Sequence, residues 1–158
     1  MLLFAIFVWG CGMRGYSAIG LDDPKTPANV GSVLRAAGCY GAAFVACGGP
    51  RMARLCQART DTQKAWKHLP FFVGDLRTLL PEGCTPVCIE LTEDAESLCN
   101  FRHPERAYYI FGPEDGSVRP EVAAWCKTRV MIPTRYCMNL ACTVNVVLYD
   151  RLCKANAN

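Results

Sequence analysis

The chain alternates short apolar runs with segments of helical pattern, and this alternation restricts the fold more than any other feature of the sequence. The apolar runs are bounded by Gly, Pro or Asp and predict strands at 16–21, 43–47, 86–91, 107–111 and 129–132. Helices are predicted between and after them, at 28–38, 52–66, 76–80, 94–101, 120–127 and 138–154. Short strands that are apolar on both faces and alternate with helices indicate an α/β domain, with a mostly parallel sheet covered by helices on both faces.

Length and composition fit one globular domain. With 158 residues, of which 51% are hydrophobic and 20% charged, the chain has the composition of a globular protein and not of a disordered tail or a membrane protein. We assign residues 14–158 to this domain. The net charge of +3 is a mild indication of an anionic partner.

Residues 1–13 form an apolar amino-terminal extension, whose segment 2–9 reads LLFAIFVW. Two interpretations stay open: a secretion signal, or an extra strand or extension packed on the domain or on a partner chain. No basic residue precedes the segment, Gly10-Cys11-Gly12 is a poor cleavage site, and eight residues are too few to cross a bilayer. We therefore favour the packed extension and predict no membrane association.

The cysteines are predicted to be free thiols. Their number, 11, is odd, and several lie inside apolar runs, where a free thiol packs as a small hydrophobic group. No Cys-x-x-Cys pair occurs, and His68 and His103 are the only histidines, so a zinc site lacks its usual ligand spacing. We predict reduced thiols, a cytoplasmic location and no bound metal.

Ligands of open parallel sheets bind beyond the carboxyl ends of the strands, so the loops after the predicted strands are the places to look for a site. The first such loop leads into a helix that contains Asn29 and Arg35. Asn29 can be a helix cap and Arg35 a solvated side chain. Alternatively, both lie on one face of the helix, nearly two turns apart, where the guanidinium grips a phosphate or activates a nearby hydroxyl.

Two later segments carry further candidate residues. The strand ending at Phe111 is followed by Gly112-Pro113-Glu114-Asp115-Gly116, either an ordinary turn or a loop whose glycines let a ligand approach the backbone. Ile132-Pro133 precedes Asn139, which either caps the last helix or is an interior polar group beside the crevice. The run 144–149 is so apolar that this helix is expected to be buried on several sides, in the core or against another subunit.

A basic segment lies after the second predicted strand. Its aromatic neighbours are Trp66 and Phe71, and its cationic side chains are Arg51, Arg54, Arg59, Lys64, Lys67 and His68. A solvated helix face is the ordinary interpretation. Clustered cations with aromatic residues beside a cleft also suit an RNA backbone and its unstacked bases, so we predict that these side chains contact RNA.

Taken together, these segments resemble the ordered motifs of the SPOUT superfamily of RNA methyltransferases, in its ribose-methylating SpoU/TrmH branch. The first motif is matched by Asn29, Gly31, Arg35 and Ala37, and the second by Gly112, Glu114 and Gly116. The third is matched by Ile132, Pro133, Asn139 and Tyr149-Asp150. The resemblance covers about residues 14–152, and three motifs in order are far more specific than any one alone.

This resemblance implies a deep trefoil knot in the carboxyl-terminal part of the sheet, a bound S-adenosylmethionine cofactor, a homodimer formed through the last helix, and methyl transfer to a ribose 2′-hydroxyl of RNA. It implies a catalytic set of Arg35, Asn29, Glu114 and Asn139, with Arg35 on the substrate. It implies cofactor contacts from Glu90, Leu91, Gly112, Gly116, Ile132, Cys137, Met138 and Leu140. By analogy with minimal family members, whose recognition also relies on the catalytic domain and its dimer mate, transfer RNA is the favoured substrate.

The chain departs from the family where the third motif usually reads Ser-Leu-Asn-Val-Ser, because it has Cys137-Met138-Asn139-Leu140-Ala141. Both hydroxyls are missing, so the main alternative is a non-catalytic RNA-binding or assembly protein that keeps the knotted fold. A flavodoxin-like nucleotide-binding module is a weaker alternative, because Asp22 and Asp23 in the loop after the first strand repel phosphate.

Overall fold

The structure is a computed structural model that describes residues 15–52 and 69–156. The apolar extension and nearly all of the basic segment lie outside the described residues. The strands are β1 (Tyr16–Asp22), β2 (Val45–Gly48), β3 (Phe71–Val73), β4 (Thr85–Ile89), β5 (Glu96–Ser97), β6 (Arg106–Phe111) and β7 (Thr128–Met131). The described helices are α1 (Pro27–Cys39), α2 (Pro120–Ala123) and α3 (Leu140–Asn156).

The strands form one seven-stranded sheet in the order β3-β2-β1-β6-β4-β7-β5. Each pair of neighbours runs parallel; Ile19 of β1, for example, is in register with Val45 of β2 and with Tyr109 of β6. The predicted α/β fold with a mostly parallel sheet is confirmed. Because β6 lies between β1 and β4, and β7 follows β4, the carboxyl ends of these four strands lie side by side at one edge of the sheet.

Alternating side chains of the strands enter two cores, one on each face of the sheet. On β6, Tyr109 and Phe111 belong to the core that includes α1 and α3, whereas Tyr108 and Ile110 belong to the core that includes α2. All four side chains are at most 1% exposed. The uninterrupted apolar sequence of β6 is therefore explained by burial on both faces.

The two longer helices pack together on one face of the sheet. Pro27 occupies the first turn of α1, where its missing N–H leaves no hydrogen bond unmade. Val33 of α1 and Val144 and Leu148 of α3 are at most 2% exposed and share one core. Tyr149 lies on the outside of α3 and is 58% exposed, so within a single chain this helix is buried on one side and not on several.

Two predictions on the α2 face need correction. The segment 76–80 is a single turn and not a helix, because Pro81 follows it directly and disfavours a helical conformation at Leu80. The carboxylate of Asp75 closes this turn by accepting hydrogen bonds from the N–H of Thr78 at 2.8 Å and from its hydroxyl at 3.1 Å. The helix predicted at 120–127 is shorter and ends at Ala123. Both segments are therefore connections between strands.

At the far edge of the sheet, the helix predicted at 94–101 is also wrong. This segment contains β5, and the N–H of Leu98 donates to the carbonyl oxygen of Met131 at 2.8 Å, so pairing with β7 replaces local helix formation. The sequence interpretation also missed β3, an edge strand of three residues (Phe71–Val73) that is too short to show a period.

Candidate functional site

A cavity of about 270 Å³ opens at the carboxyl ends of β4, β6 and β7. Its walls come from the loops after these strands and from the start of α3. Eight of the lining residues are those that the sequence predicted as cofactor contacts: Glu90, Leu91, Gly112, Gly116, Ile132, Cys137, Met138 and Leu140. The structure thus brings together, in one cavity, residues that lie up to 50 positions apart in the sequence.

Local sequence explains how two of the walls form. β4 ends at Ile89, two residues earlier than predicted, so Glu90 and Leu91 belong to the loop and not to the strand. Gly112 stands where the chain leaves β6 and folds back on itself, and a Cβ atom at this position lies 2.8 Å from the backbone nitrogen of Val118. A side chain there forces the loop to move, so this wall requires glycine.

Three polar residues from separate parts of the sequence meet beside the cavity, and we call them the Asn–Asn–Glu network: Asn139, Asn29 and Glu114. The amide nitrogen of Asn139 donates to the side-chain oxygen of Asn29 at 3.1 Å, and the amide nitrogen of Asn29 donates to the carboxylate of Glu114. Glu114 itself lines the cavity. One residue from each of the three sequence motifs therefore enters a single hydrogen-bonded network.

The two asparagines do not have the same relation to their helices. Asn139 is a true cap, since its side-chain oxygen accepts from the N–H of Ala141 at 2.9 Å and of Cys142 at 3.4 Å at the start of α3. Asn29 lies inside the first turn of α1, whose N-cap residue is Thr26, so the interpretation of Asn29 as a cap is wrong. Its side chain forms the central hydrogen bonds of the Asn–Asn–Glu network instead.

Glu114 is held in its charged form. Burial raises the pKa of this carboxyl, but hydrogen bonds from the side chain of Asn29, from the N–H of Lys25 at 2.8 Å and from the hydroxyl of Thr26 at 3.2 Å outweigh burial, and the pKa lies below its ordinary value. The cavity wall therefore carries a fixed negative charge at neutral pH.

Arg35 lies apart from the cavity. It is exposed on α1 and is not among the described residues that line the cavity. The prediction that it shares a helix face with Asn29 is wrong, because six residues of α-helix turn through about 600°, which leaves the two side chains about 120° apart. Within the described part of the chain no carboxylate pairs with its guanidinium, so this charge is available to a ligand at the surface.

Of the residues predicted to contact RNA, the structure places Arg51, whereas Arg54, Arg59, Lys64, Lys67 and His68 lie outside the described residues. The guanidinium of Arg51 contacts Asp23 at 2.7 Å and Asp115 at 3.0 Å. Asp23 has a left-handed backbone with a φ of 52°, a strained conformation for a residue other than glycine. The charge of Arg51 is thus already compensated, and it ties the loops after β1, β2 and β6 together.

A second ion pair at this edge was missed by the sequence interpretation. Asp22, at the end of β1, is 0% exposed and accepts hydrogen bonds from Arg119 at 2.6 Å from Nη2 and at 2.8 Å from Nε and from the backbone N–H. The sequence signal was an aspartate at the end of an apolar strand, which requires a cationic partner when buried. Both ends of the loop from Gly112 to Arg119 are consequently fixed against β1.

Neither a metal site nor a membrane span is found among the described residues. Across 15–52 and 69–156, no three His, Cys, Asp or Glu side chains are grouped closely enough to hold a metal ion. No helix in these same ranges combines the length and apolar character that are needed to cross a bilayer.

The family model described as the SpoU rRNA methylase family matches residues 17–149, which is most of the chain and includes all three motifs except Asp150 at the end of the third. The chain belongs to this family. The resemblance to the SPOUT superfamily is therefore confirmed. In contrast, no curated protein matches this chain in a sequence comparison.

Solved structures show the same fold. A protein studied for the 2-OH methylation of C/U34 on tRNA is 25% identical, with a TM-score of 0.70, and the match covers 92% of this chain and 99% of that one. The A. aeolicus TrmH/SpoU tRNA modifying enzyme is 15% identical, with a TM-score of 0.74 and coverage of 92% and 79%. AviRb from Streptomyces viridochromogenes, solved with AdoMet, is 18% identical, with a TM-score of 0.72. The match covers 92% of this chain, which spans 62% of the length of AviRb.

S-adenosylmethionine is the cofactor expected for a SpoU methylase, and the cavity suits it. Apolar side chains such as Leu91, Ile132 and Leu140 can cover an adenine ring, while Glu90 and Glu114 offer negative charge to the cationic sulfonium and ammonium groups. The volume of about 270 Å³ lies just below the range of roughly 300–1,000 Å³ that is typical of ligand pockets.

The departure from the family at Cys137 and Ala141 leaves the cap of α3 and the position of residue 137 at the cavity wall unchanged. The N–H of Ala141 donates to Asn139, so the start of α3 is capped without a hydroxyl at position 141. Cys137 lines the cavity with a thiol in place of a hydroxyl. Thr143, one turn into α3, lines the cavity as well, although its hydroxyl donates to the carbonyl oxygen of Asn139 at 3.0 Å.

Proposed function

We propose that this SpoU methylase transfers a methyl group from S-adenosylmethionine to a ribose 2′-hydroxyl of RNA, with transfer RNA as the substrate. The observation that carries the proposal is the Asn–Asn–Glu network, in which one residue of each motif joins a single set of hydrogen bonds that reaches the wall of the cavity at Glu114. Support for transfer RNA comes from the 25% identical protein studied for 2-OH methylation of C/U34 on tRNA, because the match covers 99% of its length.

The cofactor supplies a methyl group that is already activated by its sulfonium, so the protein has to position the hydroxyl and help remove its proton. Glu114 and Asn139 orient the groups at the cavity wall. Asn29 holds both side chains in position through its hydrogen bonds to them. Arg35, which is exposed on α1 and does not line the cavity, contacts an RNA phosphate of the substrate and assists removal of the hydroxyl proton through that phosphate.

The proposal includes a homodimer formed through α3, in the cytoplasm. Tyr149 is 58% exposed on the outside of this helix, and Cys142 and Cys153 are exposed on it as well. A tyrosine with two neighbouring thiols is an apolar surface that a second copy of the chain can cover. Light scattering after size exclusion measures the mass directly, and a monomer at micromolar concentration would contradict this part of the proposal.

The alternative of an RNA-binding protein without turnover is favoured by one observation, the absence of both motif hydroxyls at Cys137 and Ala141. The two functions differ in whether S-adenosylhomocysteine forms. Calorimetric titration with S-adenosylmethionine, followed by transfer of a labelled methyl group to unmodified transfer RNA, separates them. Cofactor binding with turnover supports the methyltransferase; RNA binding without turnover supports the alternative; and failure to bind the cofactor removes the methyltransferase proposal.

A further inference from the structure

An arginine and a tyrosine stand exposed at the rim of the cavity, and neither has a role in the site described so far. Tyr136 is 75% exposed, more than any other large apolar or aromatic residue in the described part of the chain, and the guanidinium of Arg135 lies 5.7 Å from the centre of its ring. Within the described residues Arg135 forms no ion pair. We call these two residues the Arg135–Tyr136 pair.

The backbone holds the Arg135–Tyr136 pair in place beside the cavity. The hydroxyl of Thr134 donates to the carbonyl oxygen of Tyr136 at 2.9 Å, and the N–H of Thr134 donates to that of Ile132 at 2.8 Å. Thr134 and Cys137, the residues on either side of the pair, both line the cavity. A substrate that reaches into the cavity over this rim therefore passes the pair.

We propose that the Arg135–Tyr136 pair binds an unstacked nucleotide of the RNA substrate, with the base on the tyrosine ring and a phosphate on the guanidinium. One face of the ring lies near the cation, and its exposure leaves room for a base to stack. A guanidinium without a carboxylate partner suits a phosphate. A second copy of the chain is the other candidate for covering Tyr136, but an unpaired cation next to the ring favours an anionic partner.

The inference rests on the proposed function and is tested by fluorescence anisotropy with a short single-stranded oligouridylate and with an abasic oligonucleotide of the same length. Tyr136→Ala is expected to weaken oligouridylate binding by about 5- to 150-fold and to leave the abasic probe unaffected, because only stacking is lost. Tyr136→Trp is expected to keep or tighten binding. Arg135→Ala is expected to weaken both probes and to reduce the slope of log affinity against log salt by about 0.7.

The amino ends of the strands, opposite the cavity, offer a matched control. The guanidinium of Arg106 also lies 5.7 Å from a tyrosine ring, that of Tyr16, but at the amino end of β6. Arg106→Ala therefore removes the same kind of charge away from the cavity, and RNA affinity is expected to stay unchanged. Equal losses in Arg106→Ala and Arg135→Ala would overturn the inference.

Further outcomes of these experiments also test the inference. Unchanged affinity of Tyr136→Ala, or equal weakening of both probes, contradicts stacking on Tyr136. A lower mass of Tyr136→Ala in light scattering assigns the ring to contact between copies of the chain and overturns the inference too. If the wild type neither binds RNA nor transfers a methyl group, the proposed function fails and this inference falls with it. If the wild type methylates RNA and Tyr136→Ala does so with an unchanged KM, only the inference fails.

Discussion

Asn29 joins two parts of the candidate site, so replacing it with alanine is predicted to weaken both the fold and the site. Asn29→Ala removes the donor to Glu114 and the oxygen that accepts from Asn139 at 3.1 Å. A hydrogen bond to a charged group contributes about 1.5–3 kcal/mol and one between neutral groups about 0.5–1.5 kcal/mol. Because Asn139 is exposed and Glu114 half-buried, the lower values apply, and we expect a loss of about 2 kcal/mol in the free energy of unfolding at pH 7.

The size of this loss depends on pH, because Glu114 titrates. Its pKa is lowered in the folded protein, so its interactions add stability above the unfolded pKa of about 4.3, and this stability is lost as pH falls through the folded pKa. In Asn29→Ala, burial still raises the pKa of Glu114, but one of the opposing hydrogen bonds is gone. The difference in unfolding free energy between wild type and variant is therefore expected to be largest at pH 7 and to shrink below about pH 4.

Urea unfolding followed by circular dichroism at pH 7 and pH 3 measures both effects. Asn145→Ala is the matched control, since the side chain of Asn145 donates to the carbonyl oxygen of Ala141 at 2.8 Å within α3 and has no hydrogen bond to a carboxylate among the described residues. Its loss is expected to be about 0–1 kcal/mol and independent of pH, because alanine also has the better helix propensity. Equal losses in the two variants, or a loss in Asn29→Ala that does not change with pH, would refute the reasoning.

Three further predictions address the substrate, the fold and the cofactor. Arg35→Ala is expected to abolish methyl transfer to RNA and to leave the calorimetric affinity for S-adenosylmethionine nearly unchanged; preserved turnover would contradict its role. Asp22→Ala removes the fully buried carboxylate that pairs with Arg119 and is expected to lower the free energy of unfolding by about 3 kcal/mol in urea titrations. A loss below about 1 kcal/mol would show that this ion pair contributes no more than one at the surface. Gly112→Ala places a Cβ 2.8 Å from a backbone nitrogen of its own loop and is expected to reduce cofactor affinity at least about tenfold. Gly38→Ala, whose Cβ has nothing within 4 Å, is the control and is expected to leave the affinity unchanged. Equal affinities of the two variants would contradict the prediction that the cavity wall requires glycine at position 112.

The sequence predicts much of the cavity because its walls depend on local signals. Gly112 follows a strand of six residues, and Ile132 and Leu140 flank a short loop between a strand and a helix. Such signals fix where strands end, and a parallel sheet then collects the strand ends at one edge. All eight predicted cofactor residues consequently line one cavity, although their contacts with the cofactor stay a prediction.

Pairings between distant side chains were not predictable in the same way. Asn29 and Asn139 are 110 residues apart, and nothing in either segment indicates that their side-chain amides form a hydrogen bond. Arg51 is predicted to contact RNA because it begins a basic segment, and nothing in that segment indicates that Asp23 and Asp115 form ion pairs with it in the folded protein. The position of Arg35 on a different helix face from Asn29 was available from the helical period alone.

Analysis of the nucleosides after reaction tests the central claim most directly. The protein is incubated with methyl-labelled S-adenosylmethionine and unmodified transfer RNA. The RNA is then digested to nucleosides, which are separated by liquid chromatography and identified by mass spectrometry. We predict that the label appears on the ribose of a nucleoside methylated at its 2′-oxygen, and that Arg35→Ala yields none. A label on a base, or no labelled nucleoside from a protein that binds the cofactor, would contradict the account.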